Sequence, residues 1–218
     1  MSDPCRLYLI SPPEINDLKA FSAVFEAAFD GGDIACFQLR LKSRERGSAS
    51  DDHILKVADF LLPLAKKNDV AFLINDRPDL AKKSGADGVH LGQSDSALKE
   101  ARSLLGDEAS IGVTCHNSVH LAMEAGEAGA DYVAFGSFFP TETKVVAYHA
   151  EVVTLTQWAT STIVPSVAIG GITPFNCGGL VRAGADFVAA SSAVWDAPEG
   201  PKSAVAAFND AIARVRHE

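Results

Sequence analysis

Short apolar runs rich in β-branched residues recur along the chain, at Cys5–Ser11, Cys36–Lys42, Ala71–Asp76, Gly88–Gly92, Ser110–Cys115, Tyr132–Phe138, Ser166–Gly171 and Phe187–Ser191. Most are nearly continuous rather than alternating, which predicts parallel strands covered on both faces. Between them lie longer stretches such as Ile15–Asp30, Asp52–Lys67, Ser94–Leu105 and Ser118–Ala128, and Pro201–Arg216 closes the chain. In Asp52–Lys67 the residues Ile54, Leu55, Ala58, Leu61, Leu62 and Ala65 recur every three or four positions, the face of an amphipathic helix. Eight strands, each followed by a helical segment, predict an α/β chain folded as a single (β/α)8 TIM barrel spanning residues 1–218. The alternative is an open doubly wound sheet. That fold opens on a Gly-rich turn after its first strand, whereas this chain has Ser11-Pro12-Pro13 there.

A tripeptide repeat supports the barrel. Gly-Ala-Asp occurs at Gly85–Asp87, Gly129–Asp131 and Gly184–Asp186, each time just before an apolar run. Glycine there suits the left-handed end of the preceding helix. The repeats fall on the N-terminal face of the barrel, which reads as stability, so the three aspartates are expected to be structural. The polar segment Ser43–Ser50 after the second strand reads as a loop able to move.

Charge narrows the function classes. Nineteen Lys and Arg against 28 Asp and Glu leave a net charge of −9, a poor basis for binding nucleic acid or an anionic membrane. No apolar run approaches the roughly 20 residues of a membrane span, and no signal peptide is expected from the opening residues. Cys5, Cys36, Cys115 and Cys177 form no C-x-x-C pair, so buried free thiols in a reducing cytoplasm are expected. The oligomeric state stays open, with a homo-oligomer allowed but not specified.

Barrel active sites are built at the C-terminal ends of the strands. Gln38, Arg40 and Lys42 alternate at period two at the end of the second strand, so all three share one face. The helix-facing side of a barrel strand is apolar, so that face is the interior, and two cations there call for anions. The structural reading is an internal ion-pair network. Asp76 and Asp95 arrive at the ends of the third and fourth strands, suggesting an oxygen-liganded Mg2+ shared with phosphate oxygens; each could instead cap a helix. His116 closes the fifth strand as a hydrogen-bond donor or acid/base group, and its spacing to His120 admits a metal site that lacks an evident third ligand. Thr141, Thr143 and Lys144 after the sixth strand form an oxyanion clamp. Gly170-Gly171 and Ser191-Ser192 close the seventh and eighth strands, where barrels commonly bind phosphate through backbone N–H groups. Two anion sites point to two phosphorylated substrates or one long bisphosphate.

In order along the chain, Gln38-Leu39-Arg40-x-Lys42, Asn75-Asp76-Arg77, Gly88-Val89-His90-Leu91-Gly92-Gln93-x-Asp95, Phe139-Pro140-Thr141-x-Thr143-Lys144 and Ala168-Ile169-Gly170-Gly171-Ile172 resemble the thiamine-phosphate synthase family. The resemblance covers essentially the whole chain. It implies a Mg2+-dependent transferase of thiamine biosynthesis. Such an enzyme joins a hydroxymethylpyrimidine diphosphate to a thiazole phosphate and releases pyrophosphate. By the same resemblance, Gln38 and Asn75 bind the pyrimidine side, and Arg40, Lys42, Asn75, Thr114 and Lys144 hold the diphosphate. Asp76 and Asp95 take Mg2+, Thr141 and Thr143 touch the thiazole, and Gly171, Ser191 and Ser192 bind its phosphate. The chain departs from the family pattern at Thr114, where serine is usual, and at Leu41, Ser137, Ser191 and the apolar Val145–His149 stretch. A thiazole tautomerase, similar around Cys115-His116-Asn117-Ser118, would use His116 to move protons. A non-catalytic barrel that binds a phosphometabolite is the alternative of another class.

Overall fold

The computed structural model describes residues 4–43, 47–93, 95–141 and 148–215, apart from the side chains of residues 95–97. Eight parallel strands close a barrel: β1 (Arg6–Ile10), β2 (Cys36–Leu39), β3 (Ala71–Asn75), β4 (Gly88–Leu91), β5 (Ser110–His116), β6 (Tyr132–Gly136), β7 (Ser166–Ile169) and β8 (Phe187–Ala190). Each strand lies beside its sequence neighbours and β8 pairs with β1, so the sheet has no edge. Around it run α1 (Leu18–Phe29), α2 (Asp51–Lys67), α3 (Pro78–Ser84), α4 (Asp95–Leu105), α5 (Val119–Glu127), α6 (Val152–Ser161), α7 (Gly178–Arg182), α8 (Ser192–Trp195) and α9 (Gly200–Val215). Each helix expected above is found within about three residues at either end. No helix of the described residues is long and apolar enough to cross a membrane.

Local chemistry sets the helix ends. The Ser50 side chain accepts from the His53 N–H at the start of α2, with Asp51 and Asp52 in its first turn and Lys66 and Lys67 in its last. Asp17 and Ser118 cap α1 and α5 in the same way.

Strand alternation sorts the core into two parts. Leu7, Leu9, Phe37, Phe72, Ile74, Val89, Ile111, Val133 and Val188 face the helices in one large apolar cluster. Phe25 of α1 is fully buried there, its ring centroid 4.5 Å from that of Phe37. Tyr8, Ile10, Cys36, Leu73, Tyr132, Ala134, Val167 and Ala189 point the other way and fill the barrel. Gly112 leaves room for the Tyr132 ring, since a Cβ at that position would lie 1.9 Å from it.

The Gly-Ala-Asp repeats do one job three times. Gly85, Gly129 and Gly184 all have positive φ. Asp87, Asp131 and Asp186 each accept from the main-chain N–H of Phe72, Ile111 and Ser166 respectively, at 2.7 Å in every case. Each aspartate also donates its own N–H to the carbonyl of the same residue. The expectation of structural aspartates on the N-terminal face holds.

The second strand differs from its expected extent. β2 stops at Leu39, and Lys42–Ser43 pairs antiparallel with Gly47–Ser48 in a short hairpin. Lys42 is thus not on the barrel strand, and its place is set by the hairpin rather than by strand alternation. The Ser43–Ser50 segment carries the hairpin's second strand and the α2 cap, and residues 44–46 lie outside the described ones.

Candidate active site

A cavity of about 930 Å3 opens at the C-terminal ends of the strands. Arg40, Thr114, His116, Thr141, Gly171, Ser191 and Ser192 all line it, as do Ser137, Tyr148 and Trp195. Gln38 and Asn75 are not part of that lining; Gln38 Nε2 donates to Asn75 Oδ1 at 2.6 Å.

The Arg40 guanidinium is largely withdrawn from water, and burial holds its pKa below the ordinary value while Asp76 pulls it back up. Its Nη1 donates to the Lys42 carbonyl at 3.3 Å, and its main-chain N–H donates to Ser11 Oγ. The Lys42 ammonium reaches Asp76 at 3.2 Å, with both side chains over 40% exposed. This pair is open to water, so the internal network expected from three inward-facing polar residues is limited to Gln38 and its partners.

Asp76 caps nothing. Arg77 precedes α3 without a side-chain capping bond, and Asp76 itself takes a positive φ of 61°. Arg77 instead forks between Asp51 at 2.5 Å and Asp79 at 2.7 Å, tying α2 to α3. Asp95 heads α4 on the neighbouring strand end, and its side chain lies outside the described ones. Among the described residues no three His, Cys, Asp or Glu side chains converge as metal ligands. A cation that takes one or two carboxylates and completes its shell with phosphate and water fits this donor set; an all-protein cage does not.

His116 and His120 do not converge. His116 ends β5 after a register shift, has φ 53°, and lies tilted against Tyr148 with ring centroids 4.4 Å apart. His120 sits on α5, mostly in water, 3.2 Å from Glu124. Thr141 lines the cavity, whereas Thr143 and Lys144 lie outside the described residues, as does the Val145–Ala147 part of the departing stretch.

At the far side of the cavity, Gly170 and Gly171 have positive φ of 105° and 61°. A Cβ at Gly171 would lie 2.2 Å from the Pro140 carbonyl, and one at Gly170 would lie 2.4 Å from Ser137 Oγ. The pair is therefore required by the loop after β6 as well as by any anion. The Ser191 hydroxyl donates to the Ser11 carbonyl, while Ser192 is exposed.

The least anticipated group lies underneath. Thr114 Oγ1 is 2.8 Å from His90 Nε2, and His90 Nδ1 is 2.9 Å from the Tyr132 hydroxyl. That hydroxyl is 3.0 Å from the Tyr8 hydroxyl, which donates to Gln38 Oε1 at 3.1 Å. With the Gln38–Asn75 bond, six side chains from six strands form one continuous chain. The signal was available: Tyr8, Gln38, His90 and Tyr132 are polar residues at inward positions of otherwise apolar strands.

A family model described as thiamine monophosphate synthase matches residues 7–194. The chain is 56% identical over 205 residues to a thiamine-phosphate synthase of Rhodospirillum centenum, covering 94% of this chain and 96% of the relative. A thiamine-phosphate synthase of Hyphomonas neptunium is 50% identical over 204 residues, covering 94% and 92%. Among solved structures, a thiamine phosphate pyrophosphorylase from Pyrococcus furiosus superposes with a TM-score of 0.79 at 30% identity, covering 96% of each chain.

Proposed function

The chain belongs to the thiamine monophosphate synthase family, and on that premise we propose that it couples a hydroxymethylpyrimidine diphosphate to a thiazole phosphate with release of pyrophosphate. It is a transferase of thiamine biosynthesis, as its relatives are named. The observation that carries the substrate assignment is a single cavity with Arg40 and Thr114 on one side and the Gly170–Gly171 and Ser191–Ser192 turns on the other. Two phosphorylated halves need such a cavity, and the tautomerase and non-catalytic readings would leave the cationic side without a task.

The reaction breaks the bond between the methylene carbon and the diphosphate oxygen, and both electrons leave with pyrophosphate. The thiazole nitrogen then bonds to that carbon and takes the positive charge. Arg40, Lys42, Thr114 and Lys144 hold the diphosphate and receive its growing charge, the kind of fixed electrostatic support that lowers a barrier most. Gln38 and Asn75 orient the pyrimidine. Thr141 and Thr143 orient the thiazole, while the backbone at Gly171, Ser191 and Ser192 fixes its phosphate, so the reacting atoms meet in line. His116, beside Tyr148, forms a wall against the reacting centre. Asp76 and Asp95 would hold Mg2+, which supplies charge neutralisation on the leaving pyrophosphate. A cytoplasmic location goes with this reading.

Pyrophosphate release from purified protein tests it, with pyrimidine diphosphate, thiazole phosphate and Mg2+ each omitted in turn. Release that needs all three, matched by thiamine phosphate, is expected. Binding of the thiazole phosphate with no release would overturn the assignment.

A further inference from the structure

The six-residue chain under the cavity has a direction. Burial pushes the Tyr8 and Tyr132 hydroxyls and the neighbouring Cys36 thiol well up, so each hydroxyl keeps its single proton. Gln38 Oε1 can only accept, so Tyr8 gives its proton there. Tyr8 must then accept from Tyr132, and Tyr132 from His90 Nδ1. With a single proton on the ring, Nε2 accepts from Thr114, whose only proton is thereby used. Gln38 Nε2 meanwhile donates to Asn75 Oδ1. In this direction Thr114 offers the cavity lone pairs, and Asn75, at the other end of the chain, presents N–H groups.

The opposite direction keeps all five bonds. With both amides turned over, Asn75 donates to Gln38, Gln38 to Tyr8, Tyr8 to Tyr132, and Tyr132 to His90 Nδ1. His90 Nε2–H then donates to Thr114, which is free to give its O–H to the cavity, while Asn75 offers its carbonyl oxygen. Nδ1 releases its proton to water and Nε2 takes one from water, so the number of bound protons is unchanged. The two directions keep the same five bonds but are opposite in what they show at each end.

We propose that Tyr8 and Tyr132 are positioning residues that join these ends into a two-direction switch. An anion needing a donor at Thr114 selects the state in which Asn75 presents an acceptor. Resting on the synthase reading, the inference assigns both halves of one substrate to that state: the diphosphate takes the Thr114 proton, and the pyrimidine amino group gives its own to Asn75. Each half therefore prepares the site for the other. A cut at either tyrosine leaves both ends in place but uncoupled.

The test is 15N NMR of the histidine imidazoles, with His90 assigned through His90→Gln, during titration with inorganic pyrophosphate and Mg2+. Free protein is expected to carry the His90 proton on Nδ1 and saturated protein on Nε2. In the wild type, pyrophosphate should tighten binding of the hydroxymethylpyrimidine alcohol about ten-fold, a common size for coupled sites. Tyr132→Phe and Tyr8→Phe should bind each ligand alone and lose that enhancement. A His90 tautomer that stays on one nitrogen at pyrophosphate saturation overturns the switch, as does full enhancement in both phenylalanine variants. The wild-type titration decides the matter even if a variant does not fold. Failure of the wild type to make thiamine phosphate, read in the separate turnover assay, overturns the synthase reading and the inference with it.

Discussion

Asp131 holds Ile111 twice: its carboxylate accepts the Ile111 N–H at 2.7 Å while its own N–H donates to the Ile111 carbonyl at 2.9 Å. Arg102 steadies the same carboxylate at 2.6 Å. Replacing Asp131 with alanine removes the side-chain half of this clasp and should lower stability by about 1.5–3 kcal/mol, the range for a hydrogen bond to a charged group. Asp131→Asn keeps an acceptor and should cost less. Urea unfolding measures both, and KM should not move.

Phe25 is fully buried among Phe21, Phe29, Phe37 and Trp195. Phe25→Ala should destabilise by about 3–5 kcal/mol through lost burial and the cavity left behind. A thermal or denaturant midpoint close to the wild type would contradict the packing described.

Asp76 lies 3.2 Å from Lys42, in an ion pair open to water. Asp76→Asn keeps the shape but removes a charge, so the Mg2+ needed for half-maximal turnover should rise at least about ten-fold, the low end of what changes around a metal cost. Turnover against Mg2+ concentration is the measurement, and an unshifted curve removes Asp76 from the metal site.

Arg40→Ala and Lys144→Ala should each lower kcat by about 10²-fold or more, the scale for losing one fixed donor to developing charge. His116→Ala should fall well short of that. If instead His116→Ala abolishes turnover and Lys144→Ala does not, proton transfer rather than pyrophosphate departure dominates the chemistry.

Burial raises the thiols of Cys5 and Cys115 from 9.0 to about 12, and that of Cys36 moves the same way. Near pH 8 only about one thiol in 10,000 of this kind is ionised, so the native protein should resist alkylation until it unfolds. The unfolded chain loses these protons first. Stability from this source is complete below pH 9 and declines as the pH rises from 9 toward 12. A denaturant midpoint that is flat across that window would show the thiols to be exposed.

The barrel was legible because its strands are apolar on both faces and its repeats mark the same turn three times. The rim residues followed from the rule that sites gather at strand ends, which is why Arg40, Thr114, His116 and Ser192 could be named before their cavity was seen. The Lys42 hairpin was not legible, because period-two alternation continues past Leu39 in the sequence although the strand does not. Nor was the Tyr8–Tyr132 contact. Those residues are 124 positions apart and meet only once the ring closes.

The clasps at the base fall on alternate seams. Asp87 joins β3 to β4, Asp131 joins β5 to β6, and Asp186 joins β7 to β8. At the β1–β2 seam a two-pronged Arg6–Asp33 ion pair takes that place. The seams between these pairs are tied at the base through main-chain bonds: Ala71 to Ala35, Ser110 to Asp87, Val133 to Pro165 and Arg6 to Asp186. The barrel is thus four fastened modules of two strands each. Arg40 comes from the first, Asp76 and His90 from the second, Thr114 and Tyr132 from the third, and Gly171 and Ser191 from the fourth. No module carries a site of its own, so turnover reports the assembly of the whole ring.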